Sequence, residues 1–161
     1  MDRRDFFLTA LGVSAGALVL TRGAHAQPGA LPPMTVYKSA SCGCCTAWVD
    51  HVKANGFTVK VVNTEDLASV KREMGIPAKL QSCHTVVVGA YVLEGHVPAA
   101  DVKKMLVTKP KVRGLAVPGM PIGSPGMEQG SPANYDRYEV LAFTTAGATS
   151  VFATHGPPRR G

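Results

Sequence analysis

The stretch MTVYKSASCGCCTAWVDHVKANG, residues 34–56, decides the fold of this chain. Residues 34–38 alternate in character and are rich in β-formers, which predicts a strand. Residues 46–55 carry apolar side chains at helical spacing, and Gly56 is suited to end that helix. The three cysteines in between are therefore predicted to lie where a strand passes directly into a helix.

The segments that follow continue the alternation of strands and helices. Apolar spacing and turn residues predict a strand at 57–62, a helix that Thr64 caps and that ends at 75–77, a hairpin of 85–88 with 91–93, and a helix at 99–106. The predicted order is β-α-β-α-β-β-α, with a C-x-x-C pair at the end of the first strand. This combination predicts an α/β fold with a thioredoxin-like (glutaredoxin-like) core.

The chain changes character beyond Pro110. Residues 114–130 are dense in proline and glycine, which predicts a loop, whereas 138–143 and 150–154 read as the two strands of a C-terminal β-hairpin. We expect these segments to extend the same domain. A single domain is therefore predicted for residues 34–161.

The first 26 residues have the pattern of an export signal. Two arginines at positions 3 and 4 precede an apolar run that ends at an A-x-A pattern at residues 24–26. The apolar run is shorter than the roughly 20 residues that cross a bilayer. We therefore predict a cleaved twin-arginine signal at 1–26, a linker at 27–33, a periplasmic location and no stable membrane span in the mature chain.

The charge of the chain argues against one class of partner. The formal net charge is +6, but the basic residues are scattered and no basic run is interleaved with aromatic side chains. Such a surplus is typical of a soluble surface rather than of a nucleic-acid interface. We therefore predict no nucleic-acid partner.

The cysteine triplet admits three kinds of chemistry. A helix N-terminus favours thiolates, which act both as nucleophiles and as soft metal ligands. Cys42 and Cys45 alone would suit a thiol-disulfide oxidoreductase, with Cys42 as nucleophile and Cys45 as resolving thiol, or a simple disulfide staple. Cys44 adds a third thiol that would promote wrong disulfides in such an enzyme. Metal ligation by all three cysteines is therefore the favoured interpretation.

The fourth cysteine is expected to join the other three. Cys83 precedes the predicted strand at 85–88, and in thioredoxin-like folds this loop packs against the active-site turn. A disulfide from Cys83 to one of the triplet is the alternative. Sites rich in thiolates select Cu(I), Zn(II) or iron-sulfur clusters, and the adjacent pair Cys44–Cys45 suits a bridged, multinuclear Cu(I) cluster best.

Further soft ligands lie near these cysteines in the predicted fold. His84 adjoins Cys83 and His96 lies at a turn before the third helix, so both are candidate ligands, with a hydrogen-bonding role as the alternative for His84. Met120 and Met127 lie in the Pro/Gly-rich segment and are candidate thioether ligands, with core packing as the alternative. His51 is expected to face solvent.

Three separated segments resemble one known family. YKSASCGCCTAWVDHVKANGF, GIPAKLQSCHTVVVGAYVLEGHVPAADVKKML and RGLAVPGMPIGSPGME are similar to the exported domain-of-unknown-function family that contains the copper-resistance protein CopG. The resemblance covers about residues 34–143. It implies a thioredoxin-like fold, a periplasmic setting, copper handling, and metal ligation by the four cysteines.

The predicted function is a periplasmic protein that binds copper ions as Cu(I) in a cysteine-thiolate cluster for copper resistance, with redox activity as a further option. Other periplasmic copper-resistance proteins are expected as partners. A thiol-disulfide oxidoreductase that uses Cys42 and Cys45 is the alternative, and a disulfide-stapled interaction domain is a third option.

Overall fold

The computed structural model describes residues 30–158. The predicted export signal at 1–26 and the first part of the predicted linker at 27–33 lie outside these residues. From Leu31 onward the described residues form one compact unit. Among them, no helix has the length and apolar character needed to cross a membrane.

Residues 30–158 form a single mixed β-sheet with three α-helices. In chain order the elements are β1 (Met34–Lys38), α1 (Gly43–Ala54), β2 (Val59–Asn63), α2 (Leu67–Glu73), β3 (His84–Val88), β4 (Tyr91–Glu94), α3 (Ala99–Thr108), β5 (Gly114–Ala116), β6 (Tyr138–Phe143) and β7 (Thr149–His155), with short 3-10 helices at Ala78–Leu80 and Pro132–Asn134. The seven strands are arranged in the order β2-β1-β3-β4-β5-β6-β7.

The strand pairing places the two cysteine-bearing segments side by side. β1 runs parallel to β2 and antiparallel to β3, with Lys38 opposite His84. The residues that follow Lys38 therefore meet the residues that precede His84 at the same end of the sheet. The chain reaches Cys42 from one strand and Cys83 from its neighbour, so strand register alone brings these two cysteines to the same end of the sheet.

The predicted order of elements agrees with the first seven strands and helices, but several boundaries differ by two or three residues; α1, for example, begins at Gly43 and not at residue 46, and the predicted cap of α2 is wrong. Thr64 was expected to cap the second helix, whereas α2 begins at Leu67 and its N-cap is Asp66, whose carboxylate accepts the backbone N–H of Ser69 at 3.0 Å. The Thr64 hydroxyl instead accepts the N–H of Asp66. A short hydroxyl-centred turn therefore precedes the helix, as these side chains commonly form.

The C-terminal extension is part of the sheet. The predicted hairpin corresponds to β6 and β7, but the start of the predicted 114–130 loop is strand β5, which pairs with β4 on one side and β6 on the other. Glycine is needed at position 114 because a Cβ there would lie 1.7 Å from the carbonyl oxygen of Val92. A strand of three residues that begins with glycine carries too little periodicity to be recognised from the sequence.

The core lies between the sheet and the helices. α1 buries Trp48, Val49 and Val52 against the sheet, and Trp48 is completely inaccessible. Its indole N–H donates to the carbonyl of Val97 at 2.9 Å, so the helix that carries the cysteine triplet is hydrogen-bonded to the segment before α3. Buried indole groups need such a partner, and here the bond also fixes α1 relative to the end of the sheet where the cysteine-bearing segments meet.

Candidate metal centre

The cysteine triplet occupies the start of α1. Cys42 is the N-cap residue, and its Sγ accepts the backbone N–H of Cys45 at 3.3 Å. Sulfur here takes the position that an oxygen usually holds at a helix N-terminus, where unpaired N–H groups and the helix dipole favour negative charge. The local structure therefore favours an electron-rich sulfur at Cys42.

The structure brings all four sulfurs together. The Sγ atoms of the four cysteines lie within 4.8 Å of one another, and we refer to this group, Cys42, Cys44, Cys45 and Cys83, as the cysteine cluster. The convergence agrees with the expectation from the sequence. The role of the four residues as metal ligands stays a prediction.

Two of the four sulfurs are joined. Cys42 and Cys45 form a disulfide with a Cα–Cα distance of 5.4 Å, whereas Cys44 and Cys83 are free thiols. Cys44 Sγ lies 3.5 Å from Cys42 Sγ, and Cys45 Sγ lies 3.8 Å from the carbonyl oxygen of Cys83. The alternative expectation of a disulfide at Cys83 is wrong, because this sulfur is unbonded. Reduction of one disulfide would supply the cluster with four thiols.

His96 presents a free lone pair to Cys83. His96 Nδ1 lies 2.7 Å from the carbonyl oxygen of Pro125, and because a carbonyl can only accept, the hydrogen is on Nδ1. His96 Nε2 then faces Cys83 Sγ at 3.0 Å as an acceptor. Burial lowers the pKa of His96, so the ring is neutral and suited to accept a thiol hydrogen or to bind a metal ion.

His84 is the most enclosed of the candidate ligands. Its Nδ1 lies 3.3 Å from Cys83 Sγ, and its ring is 4.6 Å from that of Trp48. Its Nε2 is buried and has no hydrogen-bond partner among residues 30–158. Burial, with a smaller contribution from His96, holds the pKa of His84 well below its ordinary value of about 6.5. One atom each from Cys83, His84 and His96 lies within 4.8 Å of the other two, which forms a second sulfur-imidazole group around the same thiol.

The Cys83 thiol is held in its protonated form. Burial raises the pKa of Cys83 to about 12, and the nearby sulfur of Cys44 acts in the same direction. A metal ion bound here would have to displace the proton, because the thiolate is the ligand. Metal binding at this thiol is therefore coupled to proton release.

The Pro/Gly-rich segment lies on the first turn of α1. We call residues 117–137 the extension loop, since they connect β5 with β6. A Cβ on Gly126 would lie 2.7 Å from both the carbonyl oxygen of Cys44 and the nitrogen of Trp48. The loop backbone thus contacts the cysteine-bearing turn directly, and Pro125 beside it accepts the bond from His96.

Both candidate thioethers are carried by the extension loop. Met127 is partly buried next to Gly126, whereas Met120 is half exposed at 52%. Met120 follows Gly119, whose carbonyl accepts the hydroxyl of Ser82. The loop therefore places one methionine near α1 and the other near residues 81–83, which we call the Cys83 segment. Ligation by either sulfur stays a prediction.

Several residues that contact the site were not recognised from the sequence. Lys71 and Glu94 form a buried ion pair beneath the Cys83 segment. Lys71 belongs to the apolar face of α2, because it lies at i+4 from Leu67 and at i−3 from Met74, and a charged residue at such a position was the available signal. For Pro125 the sequence contains no corresponding signal, since its contribution is a backbone carbonyl.

Two histidines outside the site join elements together. His51 was expected to face solvent, but its Nε2 accepts the backbone N–H of Ala99 at 3.1 Å, which links α1 to the start of α3. His155 pairs with Asp101 at 2.6 Å and so ties β7 to α3. Both rings have structural partners in the fold.

Comparison with known proteins identifies the class. A family model described as a protein of unknown function, DUF411, matches residues 80–127. Two solved structures of the copper resistance protein CopG, forms 1 and 2, are 43% and 44% identical to this chain, each with a TM-score of 0.73. The two matches include 79% and 78% of this chain, and 99% and 98% of the respective CopG chains. No curated protein matches.

The fold and the site therefore define the class of protein: an α/β domain with a seven-stranded sheet and a cluster of cysteines. The chain belongs to the DUF411 family, the family of the copper resistance protein CopG.

The contact of Gly126 with α1 predicts a position-specific effect of substitution. Gly126→Ala should lower the free energy of unfolding by about 1–3 kcal/mol more than Gly130→Ala, because overpacking costs about that much. The two glycines form a matched pair: both have φ in the left-handed region (84° and 73°), but a Cβ on Gly130 meets nothing within 4 Å. Urea denaturation of the metal-free protein measures both values, and equal losses would show that Gly126 makes no essential close contact.

The buried neutral ring of His84 predicts a pH dependence of stability. Below about pH 6.5 the unfolded chain binds a proton at this residue whereas the folded chain does not, so stability falls as the pH falls. The contribution is about 1.4 kcal/mol per pH unit until the folded-state pKa is reached. Urea denaturation at pH 8, 7, 6 and 5 gives the free energy of unfolding at each pH. Below about pH 6.5, the decrease of this free energy with falling pH should be smaller in His84→Gln, by the contribution of one proton. Parallel curves for the two proteins would contradict a neutral His84.

Proposed function

We propose that this protein is a periplasmic copper-binding protein that holds Cu(I) through the cysteine cluster and acts in copper resistance. The observation that carries the proposal is the convergence of four sulfurs within 4.8 Å. The family relationship supports it, because the similar solved structures are of a copper resistance protein. Copper is the cargo in this proposal and not a resident cofactor.

The chemistry of the donors favours Cu(I) over other metal ions. Thiolates are soft ligands that select Cu(I), Zn(II) or iron-sulfur clusters, and Cu(I) accepts low coordination numbers. Cys44 and Cys45 are adjacent in the chain, which is awkward for one tetrahedral centre but suits thiolates that each bridge two ions. We therefore propose a multinuclear Cu(I) cluster. Neutral His84 and His96 supply two further nitrogen donors around Cys83.

The setting and the fold assignment are part of the same proposal. The export pattern at 1–26 supports a twin-arginine route to the periplasm, where other copper-resistance proteins would be the partners. The order β2-β1-β3-β4, with β1 and β2 parallel and β3 antiparallel to both of its neighbours, supports a thioredoxin-like core. Met120 and Met127 are the proposed thioether ligands of the extension loop.

A thiol-disulfide oxidoreductase is the second candidate function, and one observation favours it. Cys42 and Cys45 are joined in a disulfide at the first turn of α1. In the reduced state, the Cys42 thiolate would attack a substrate disulfide, and Cys45 would then displace the substrate sulfur and regenerate the bond seen here. The substrate gains two electrons and two protons, and the protein loses them.

Titration of the fully reduced protein with Cu(I) in the absence of oxygen tests the copper proposal. We expect tight binding of at least one Cu(I) per chain, with thiolate-to-copper charge-transfer absorption, and a lower copper content in Cys83→Ser. Ser41→Ala is the control, since this exposed side chain adjoins the cluster without belonging to it. Failure of the wild type to bind would overturn the copper proposal. Unchanged binding by Cys83→Ser would remove the fourth sulfur from the site.

A disulfide-reduction assay on the metal-free protein separates the two candidate functions. The oxidoreductase function predicts turnover of a model disulfide that Cys42→Ser abolishes and Cys44→Ser preserves. We expect Cu(I) loading to suppress any such turnover, because both functions need the same thiolates. Full turnover by the copper-loaded protein would contradict a copper site that includes Cys42 and Cys45.

A further inference from the structure

A buried polar network lies directly behind the Cys83 segment. The Glu94 side chain, at the end of β4, is completely inaccessible. Its Oε1 accepts the backbone N–H of Ser82 at 2.6 Å, and its Oε2 accepts the hydroxyl of Thr85 at 2.7 Å. Lys71 donates to Oε1 of Glu94 and, at 3.1 Å, to the hydroxyl of Thr85. Both carboxylate oxygens are thus occupied by donors.

Ser82, whose backbone N–H donates to Glu94, is held on two other sides as well. The Ser82 hydroxyl donates to the carbonyl of Gly119 in the extension loop. The backbone of Gly95 lies so close to Ser82 that a Cβ on Gly95 would be 2.6 Å from Ser82 Cβ. Ser82 therefore has little freedom to move, and Cys83 follows it immediately in the chain.

We propose that Glu94 is a positioning residue of the metal centre: with Lys71 and Thr85, its carboxylate fixes the Ser82 N–H and thereby holds the Cys83 sulfur against the cysteines of α1. The proposal deepens the copper-binding function and rests on it for the part that concerns metal affinity. The placement of the thiol itself is independent of that function.

The donor set explains why a carboxylate is needed at this position. Three groups donate to Glu94: a backbone N–H, a hydroxyl and an ammonium group. A glutamine side chain has one acceptor oxygen instead of two, and its amide nitrogen is a donor that would face another donor. Glu94→Gln therefore keeps the size of the side chain but cannot satisfy Ser82, Thr85 and Lys71 together.

The first test needs no metal and follows the reactivity of Cys83. In a Cys44→Ser background with the Cys42–Cys45 disulfide intact, Cys83 is the only free cysteine of the chain. We expect Glu94→Gln to accelerate alkylation of Cys83 by iodoacetamide about tenfold, an effect of the size that neighbouring coupled residues show. An unchanged rate would overturn the proposal.

A matched control separates positioning from loss of stability. Asp101→Asn also replaces a buried acid, but one that pairs with His155 and not with the Cys83 segment. We expect it to lower the stability of the protein and to leave the alkylation rate of Cys83 unchanged. Equal acceleration by Asp101→Asn and Glu94→Gln would show that general destabilisation, and not positioning, releases the thiol.

A second variant covers the case in which Glu94→Gln does not fold, since an unpaired Lys71 ammonium would be left in the interior. The double variant Lys71→Met, Glu94→Gln removes both charges but still lacks the carboxylate. We expect it to fold and to show the faster alkylation of Cys83. A folded double variant in which Cys83 reacts as slowly as in the parent would contradict the proposal.

The second test connects the positioning role with the metal. Cu(I) affinity is measured by competition with a chromogenic Cu(I) chelator in wild type, Glu94→Gln, Cys83→Ser and the Glu94→Gln, Cys83→Ser double variant. We expect Glu94→Gln to weaken binding about tenfold when Cys83 is present and to have almost no effect when it is absent, because the effect passes through this thiol. An equal loss in both backgrounds would contradict positioning of Cys83. Absence of tight binding in wild type would reject the copper function and leave the alkylation result intact.

Discussion

Four sulfurs within 4.8 Å of one another cannot all be anionic unless a cation lies among them. Like charges at this distance repel strongly in a partly buried site, so in the absence of a cation the group must lose charge in other ways. The structure contains two of these ways. Cys42 and Cys45 share electrons in a disulfide, and burial, with the nearby sulfur of Cys44 acting in the same direction, raises the pKa of Cys83 to about 12, which keeps its proton in place. A soft cation would remove the need for both.

The surrounding fold is arranged to maintain this crowding. The antiparallel register of β1 with β3 brings the two cysteine-bearing segments to one end of the sheet, and the N-terminus of α1 stabilises electron-rich sulfur there. Trp48 anchors α1 through the carbonyl of Val97, and the ion pair of Lys71 with Glu94 lies beneath the opposite segment. Each side of the cluster thus has its own buried anchor.

Each strand or helix was predictable to the extent that its apolar residues show a regular spacing. Strands and helices with several apolar positions were recognised in the correct order, and the placement of the C-x-x-C pair led to the four-sulfur site. Strand β5 was missed because three residues are too few to show alternation. The N-cap of α2 was misplaced by two residues, since Thr64 and Asp66 have similar capping chemistry and only the three-dimensional path of the chain distinguishes them.

Site residues that act through long-range contacts were beyond sequence reasoning. Glu94 and Ser82 are twelve residues apart, and the hydrogen bond between them depends on how β4 returns beside β3. The carbonyl of Pro125 reaches His96 from the extension loop, and backbone groups carry no mark in a sequence. Cysteine and histidine are recognised in a sequence as candidate metal ligands by their residue type. The groups that orient them belong to residue types that have no such association with metal binding.

The extension loop is tethered at both ends, because β5 and β6, between which it runs, are paired with each other in the sheet. Between these two strands, Gly126 packs against the backbone of α1. The loop therefore covers the backbone of the first turn of α1 on one side. Cys42, Cys44 and Cys83 remain partly exposed, so the proposed site would exchange ions with solvent or with a partner protein through these three residues.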